Sequence, residues 1–151
     1  MWQTIAAEAE RESPLWAEAL LPLAERETEP VFSPLADGRF ALGLETIYEG
    51  YLVHYGRPRL FRPRDADETL LLGDYLYAHG LVRIAELGEV AAIEALAALI
   101  SRCAHLRAED EPGDGVIWAD TASSLGSDPE GSDPEDAARE RALAAHARRV
   151  G

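Results

Sequence analysis

The spacing of apolar residues narrows the fold of this chain more than any other feature. Leu44, Ile47, Tyr48, Tyr51, Leu52 and Tyr55 fall three and four positions apart, the interval that lines one face of an α-helix. Val90, Ile93, Leu96, Ala97, Ile100 and Cys103 repeat the pattern. Nowhere do apolar and polar residues alternate as in a half-buried strand. Leu, Ala, Glu and Arg dominate, and all four favour helix. The expectation is an all-α bundle of about five to six helices, on a chain of 151 residues that is long enough for one core.

Punctuation along the chain divides it. Residues 2–12 and 14–28 read as short helices split at Ser13-Pro14, a capping residue followed by proline at the first helical position. Pro22 should kink or end the second. Ser33-Pro34 repeats the start signal for a helix running to about Tyr55, with Gly56 as its stop. The arginine-rich loop Gly56 to Arg64 contains two prolines. Asp65, with Glu68 three residues later, resembles a capping box and opens a helix to Leu87. Gly88 closes it, and a further helix covers Glu89 to Arg107. Residues 1–107 thus form a helical bundle domain. Residues 108–134, rich in Asp, Glu, Gly, Ser and Pro, read as an acidic low-complexity linker. Within it Val116-Ile117-Trp118 is an apolar island, suited to docking on the body or on a partner. Asp133-Pro134 starts a C-terminal helix over 135–151, whose last turn carries Arg148 and Arg149.

Composition excludes several functions. All 14 basic residues are arginine, which rules out a lysine Schiff base and a lysine-bearing phosphate loop. The net charge is −14, and residues 109–136 hold ten acidic side chains and no basic one. That acidity argues against nucleic acid as a partner. The single cysteine, Cys103, suits an inert small apolar residue and gives no sign of an oxidising compartment. The first residues lack the basic start and apolar run of a secretory signal. No stretch approaches the roughly 20 apolar residues of a transmembrane segment, so the expected location is cytoplasmic. No Ser-His-Asp, Cys-His, zinc-spaced or glycine-rich phosphate motif is present, and no catalytic residue is assigned.

The stretch LLLGDYLYAHGLVRIAELG, Leu70 to Gly88, resembles the helix of trans-polyprenyl diphosphate synthases that carries a V-L-x-G-D-[FY]-L-[YF] pattern and a following L-G turn. In that family an aspartate-rich D-D-x-x-D lies 29 residues before the Asp of the G-D pair, with an R-R-G-[KR]-P loop between. Here Glu45, opening ETIYE, stands 29 residues before Asp74, and HYGRP occupies the loop position. The resemblance continues to about His105. It implies part of the isoprenoid synthase fold, with Glu45 and Glu49 in two of the Mg²⁺-ligand positions. The resemblance also implies that Arg57 and Arg59 belong to the diphosphate-binding loop. Phe40, five positions before Glu45, falls where the family uses residue bulk to limit product length. Phe40, Tyr48, Tyr75 and His79 would line a cavity or an interface.

The departures are equally specific. The three acidic positions hold Glu45, Thr46 and Glu49, so the central ligand is missing. The paired arginines are His54 and Tyr55. The family's G-G-K-R motif has no counterpart in residues 1–44, and its second aspartate-rich motif would fall in the acidic linker. The resemblance therefore implies a non-catalytic or auxiliary member, similar to the small partner subunits of some bacterial polyprenyl synthases. A half bundle leaves an apolar face for a catalytic synthase subunit, or for a second copy of the chain, to cover. Two alternatives stand beside it. One is a homodimeric binder of a magnesium-diphosphate ligand, in which Mg²⁺ is the cofactor. The other is an unrelated helical interaction module recruiting partners through its acidic tail and Trp118. Plainer readings of the same residues make Glu45 and Glu49 a solvated helix edge. They pair the loop arginines with Asp65, Asp67 and Glu68, and make His79 a satisfied buried or half-buried histidine.

Overall fold

A computed structural model of the protein describes residues 1–126 and 136–150. Seven α-helices account for most of it, and the described residues form no strand beyond one isolated bridge between Leu20 and Phe61. In order these are α1 (Trp2–Glu12), α2 (Pro14–Ala19), α3 (Ala41–Tyr55), α4 (Ala66–Ala85), α5 (Val90–Ala108), α6 (Asp114–Ser124) and α7 (Asp136–Val150). The all-α bundle is as expected, with one or two more helices.

Several boundaries follow from caps visible in the sequence. Ser13 accepts a hydrogen bond from the Leu15 N–H at the start of α2. Asp65 accepts one from the Glu68 N–H at the start of α4, satisfying donors the helix cannot. Gly88 closes the α4–α5 turn at φ 77°, a left-handed geometry that glycine takes without strain. Two expectations fail. The helix expected over 14–28, with Pro22 expected to kink or end it, stops already at Ala19. The chain then passes through a 3-10 turn at Leu23–Glu25 and runs beside the loop after α3. There the Leu21 N–H donates to Leu60 O, and the Arg62 N–H to Ala19 O. Ser33-Pro34 starts a single 3-10 turn, Ser33–Leu35, and α3 begins only at Ala41. The Val31 and Ser33 N–H groups bond the Glu45 side chain instead, which holds the chain out of helix.

Helix α3 is the axis of the fold, and every residue from Gly43 to Val53 is buried. A helix buried on all sides is surrounded by the rest of the fold. Helices α5, α6 and α7 pack on one side of it, around Phe32, Tyr48, Tyr51 and Trp118. Helices α1, α2 and α4, with Leu60 and Phe61, close the other. The α3–α4 contact is close because glycine faces glycine. A Cβ on Gly50 would stand 2.9 Å from the Gly73 carbonyl oxygen, and one on Gly80 would stand 3.0 Å from that of Gly43. Each pair of glycines, 43/50 and 73/80, is seven residues apart, so the antiparallel register presents both contacts on one seam.

Helix α6 corrects the domain reading. It lies within the stretch expected to be linker, and buries Gly115, Trp118, Ala119 and Ala122. Trp118 is fully buried, stacked on Phe32 at 5.4 Å and set edge-on to Tyr48 at 5.1 Å. Trp118 of the apolar island thus docks on the body, with Ile117 partly buried beside it and Val116 left exposed. The expected helix start at Asp133-Pro134 lies outside the described residues.

Candidate functional site

Glu45 and Glu49 stand one turn apart in the middle of α3, and both are completely buried. A carboxylate there is stable only if its charge and lone pairs are met from within. They are met by Arg59, whose side chain is also fully buried. Arg59 Nη1 donates to Glu45 Oε2 at 2.6 Å, and Nε donates to Glu49 Oε2 at 2.9 Å. The remaining oxygens accept backbone N–H groups. Glu45 Oε1 takes those of Val31 (3.1 Å) and Ser33 (3.0 Å), and Glu49 Oε1 takes those of Arg59 and Leu60, both at 2.8 Å. One guanidinium thus faces two carboxylates, and four N–H dipoles add positive potential around them.

The guanidinium is satisfied in turn. Nη1 also donates to the Glu29 carbonyl at 3.0 Å, and Nη2 to that of Glu45 at 3.3 Å. Trp2 and Tyr48 lie over it at 4.5 and 5.1 Å, within cation–π range. Burial alone would weaken its hold on its proton, but the two carboxylates reverse that and raise its pKa. The network fastens segment 29–33 and the loop after α3 onto the central helix.

This arrangement does not fit the metal site that the resemblance implies. A Mg²⁺ ion needs open oxygen ligands and several waters, whereas every side-chain oxygen of Glu45 and Glu49 already accepts a donor. Nor are these residues the solvated helix edge of the plainer reading, since α3 has no solvated edge here. Arg59 points inward and cannot meet a diphosphate in solvent. Arg57 does reach the surface and pairs with Glu27 at 2.6 Å. Arg62 pairs with Glu25 at 2.7 Å, and Arg64 with Glu68 at 3.1 Å. The loop arginines are therefore internally paired, mostly with acids of the 25–29 segment and of α3, and only Arg64 with the α4 cap.

The cavity or interface candidates separate. Phe40 is buried in the main core at the foot of α3. Tyr48 is buried with its hydroxyl 3.0 Å from His146 Nδ1. Burial pushes its phenol above the ordinary value, although Arg59 pulls the other way. Tyr75 and His79 lie together in a groove of about 290 Å³ between α1 and α4, with their rings stacked 5.4 Å apart. His79 Nε2 is 2.6 Å from Glu8 Oε2, and that oxygen also accepts Arg83 Nη2. Burial would raise the Glu8 carboxyl, but His79 and Arg83 bring it below the usual range. His79 is thus a half-buried, paired histidine.

A second polar cluster joins four helices and was not singled out in the sequence. Asp114 Oδ2 accepts Arg107 Nη2 at 2.6 Å, is 3.1 Å from His146 Nε2, and also accepts the Tyr51 hydroxyl. Burial would raise the Asp114 carboxyl. The bonds from His146, Tyr51 and Arg107 outweigh it and hold the group well below the usual carboxylate range. His146 bridges the two sides, with Nε2 facing Asp114 and Nδ1 3.0 Å from the Tyr48 hydroxyl. Asp114 and His146 are 32 positions apart, so no local spacing could have paired them.

Among the described residues, no group of three or more His, Cys, Asp or Glu is placed to hold a metal ion, and no helix is long and apolar enough to cross a membrane. Comparison of the chain with protein-family models, curated proteins and solved structures finds no match.

Proposed function

We propose that the chain is a non-catalytic helical protein that acts by binding another protein, and that its partner is a prenyl diphosphate synthase subunit. The observation that carries the first half is the use made of Glu45 and Glu49. Both are internal counter-ions of Arg59, with no oxygen left to hold a metal. The Asp114 carboxylate is likewise engaged from within, by Arg107 and His146. The second half rests on the in-register resemblance of Glu45–Asp74. It is also supported by apolar side chains left open on α4 and its turn into α5: Leu70, Leu71, Val82, Leu87 and Val90. Open apolar side chains along one helix and its turn suit a protein interface.

Co-expression of the tagged chain with a catalytic polyprenyl synthase tests the proposal. Stoichiometric co-purification and a changed prenyl-chain output are expected, with no prenyl transfer by the chain alone. Failure to co-purify, with the chain alone binding diphosphate in a magnesium-dependent way, would sink it. That outcome would favour the homodimeric diphosphate binder, for which one observation speaks: Arg57 and Arg62, with their partners Glu27 and Glu25, line an open groove of about 450 Å³.

A further inference from the structure

Helix α7 is held on the body in an unusual way. Its buried residues are Ala142, Ala145, His146 and Arg149. Leu143 and Val150 are only partly buried against the core, and Arg139 pairs with Asp120 at the surface. The two larger anchors are tied to acids, His146 Nε2 to Asp114 at 3.1 Å and Arg149 Nη2 to Glu27 at 2.8 Å. The alanine face leaves its seat underfilled. A groove of about 270 Å³ runs between Ala138, Ala142 and Ala145 on α7 and Pro30, Val31 and Pro34 on the body. The Arg149 side chain is 3% exposed, yet its buried Nη1 has no hydrogen-bond partner among the described residues. Under α7 lies an aromatic floor, with Phe32, Tyr48 and Tyr51 at 5.5, 5.9 and 5.9 Å from the His146 ring.

We infer that the surface beneath α7 is a docking groove for a partner helix, and that α7 is an internal occupant which a better-fitting helix displaces. The inference rests on the partner-binding reading and gives the partner a second surface, apart from the open side chains of α4. The groove specifies the chemistry of its occupant. Leucine-sized residues in place of Ala138 and Ala142 would fill the space along Val31 and Pro34. Basic or imidazole side chains three positions apart would meet Asp114 at one end and Glu27 with Glu29 at the other. An acidic helix would bring like charges against these carboxylates. Helix-in-groove recognition of this kind reads apolar anchors at three- and four-residue spacing. Being tethered, α7 competes at an effective concentration in the millimolar range, so an intruder must fit better than alanine allows.

The probe is a labelled peptide of residues 136–150 carrying Ala138→Leu and Ala142→Leu, with the unsubstituted peptide as reference. Both are titrated by fluorescence anisotropy against the full chain and against full-length His146→Ala/Arg149→Ala, which loosens the chain's own α7. At least tenfold tighter binding of the leucine peptide to the double variant is expected, with faster amide exchange in α7 of the unsubstituted chain at saturation. Equal affinities, or no binding to a double variant that keeps its helical circular dichroism, would overturn the inference. Binding that leaves α7 exchange unchanged would also do so. Ala138→Leu in the otherwise intact chain is an independent check. A rise in Tm supports an open groove, and a fall overturns it. Peptide binding without synthase co-purification would reject the synthase as partner and keep the groove. The reverse result would reject the groove alone.

Discussion

Replacing Arg59 by methionine isolates the charge of the buried network from its bulk. The substitution keeps an unbranched apolar stem. It removes the bonds to Glu45 Oε2, Glu49 Oε2 and the carbonyls of Glu29 and Glu45, and the cation from beneath Trp2. The two carboxylates keep their four backbone N–H donors and lose their guanidinium. Breaking a buried ion pair from one side costs about 3–5 kcal/mol, whereas a surface pair is worth at most about 1 kcal/mol. All three side chains are fully buried, so the larger figure applies. It is a large fraction of the roughly 5–15 kcal/mol that holds a domain together. At about 2–4 °C per kcal/mol for a chain of this size, the melting midpoint should fall by roughly 6–20 °C. Urea unfolding followed by tryptophan fluorescence, extrapolated linearly to water, measures the loss directly. The triple variant Arg59→Met/Glu45→Gln/Glu49→Gln should regain at least half of it, because no uncompensated charge remains. A single-variant loss below about 1 kcal/mol would refute the buried counter-ion argument. A triple variant no more stable than the single one would show that packing, not charge, sets the cost.

Asp114→Asn should cost about 1.5–3 kcal/mol at pH 7, the worth of hydrogen bonds to a charged group. Because the folded Asp114 carboxyl is held below its unfolded value, its contribution is present above about pH 4 and lost as the pH falls further. The variant should therefore lose less stability than the parent on acidification below about pH 4, as read from melting points across that range. Gly50→Ala should lower stability by about 1–3 kcal/mol through overpacking against the Gly73 carbonyl, although alanine is about 1 kcal/mol the better helix former. Gly38→Ala, where a Cβ meets nothing within 4 Å, serves as the control with little change in melting point. Burial, reinforced by the Asp114 charge, pushes the Cys103 thiol up to about 12. A thiol reagent at pH 8 should leave Cys103 unmodified in the folded chain and react fully once denaturant is added.

What the sequence determined by itself is local. The three-and-four spacing of α3 and α5, the Ser13 and Asp65 caps and the Gly88 turn are all interactions between residues a few positions apart, and the structure keeps them. Helix α6 was legible in the same terms, because Gly115, Trp118, Ala119 and Ala122 fall at three- and four-residue spacing. The acidic, glycine- and serine-rich composition around them pointed to linker instead. The seven-residue glycine spacings of α3 and α4 were also there to be read as a packing seam. Tertiary structure alone decided the state of the charged groups. Glu45 and Glu49 on a helix edge suit a metal site, a solvated edge or a buried ion pair equally well. The choice fell when loop closure carried Arg59 inward and segment 29–33 laid its N–H groups across α3. Asp114 and His146 met only because α6 and α7 pack on the same side of α3. A hydrogen bond forms over about 3 Å, and no sequence interval encodes proximity on that scale between residues 32 positions apart.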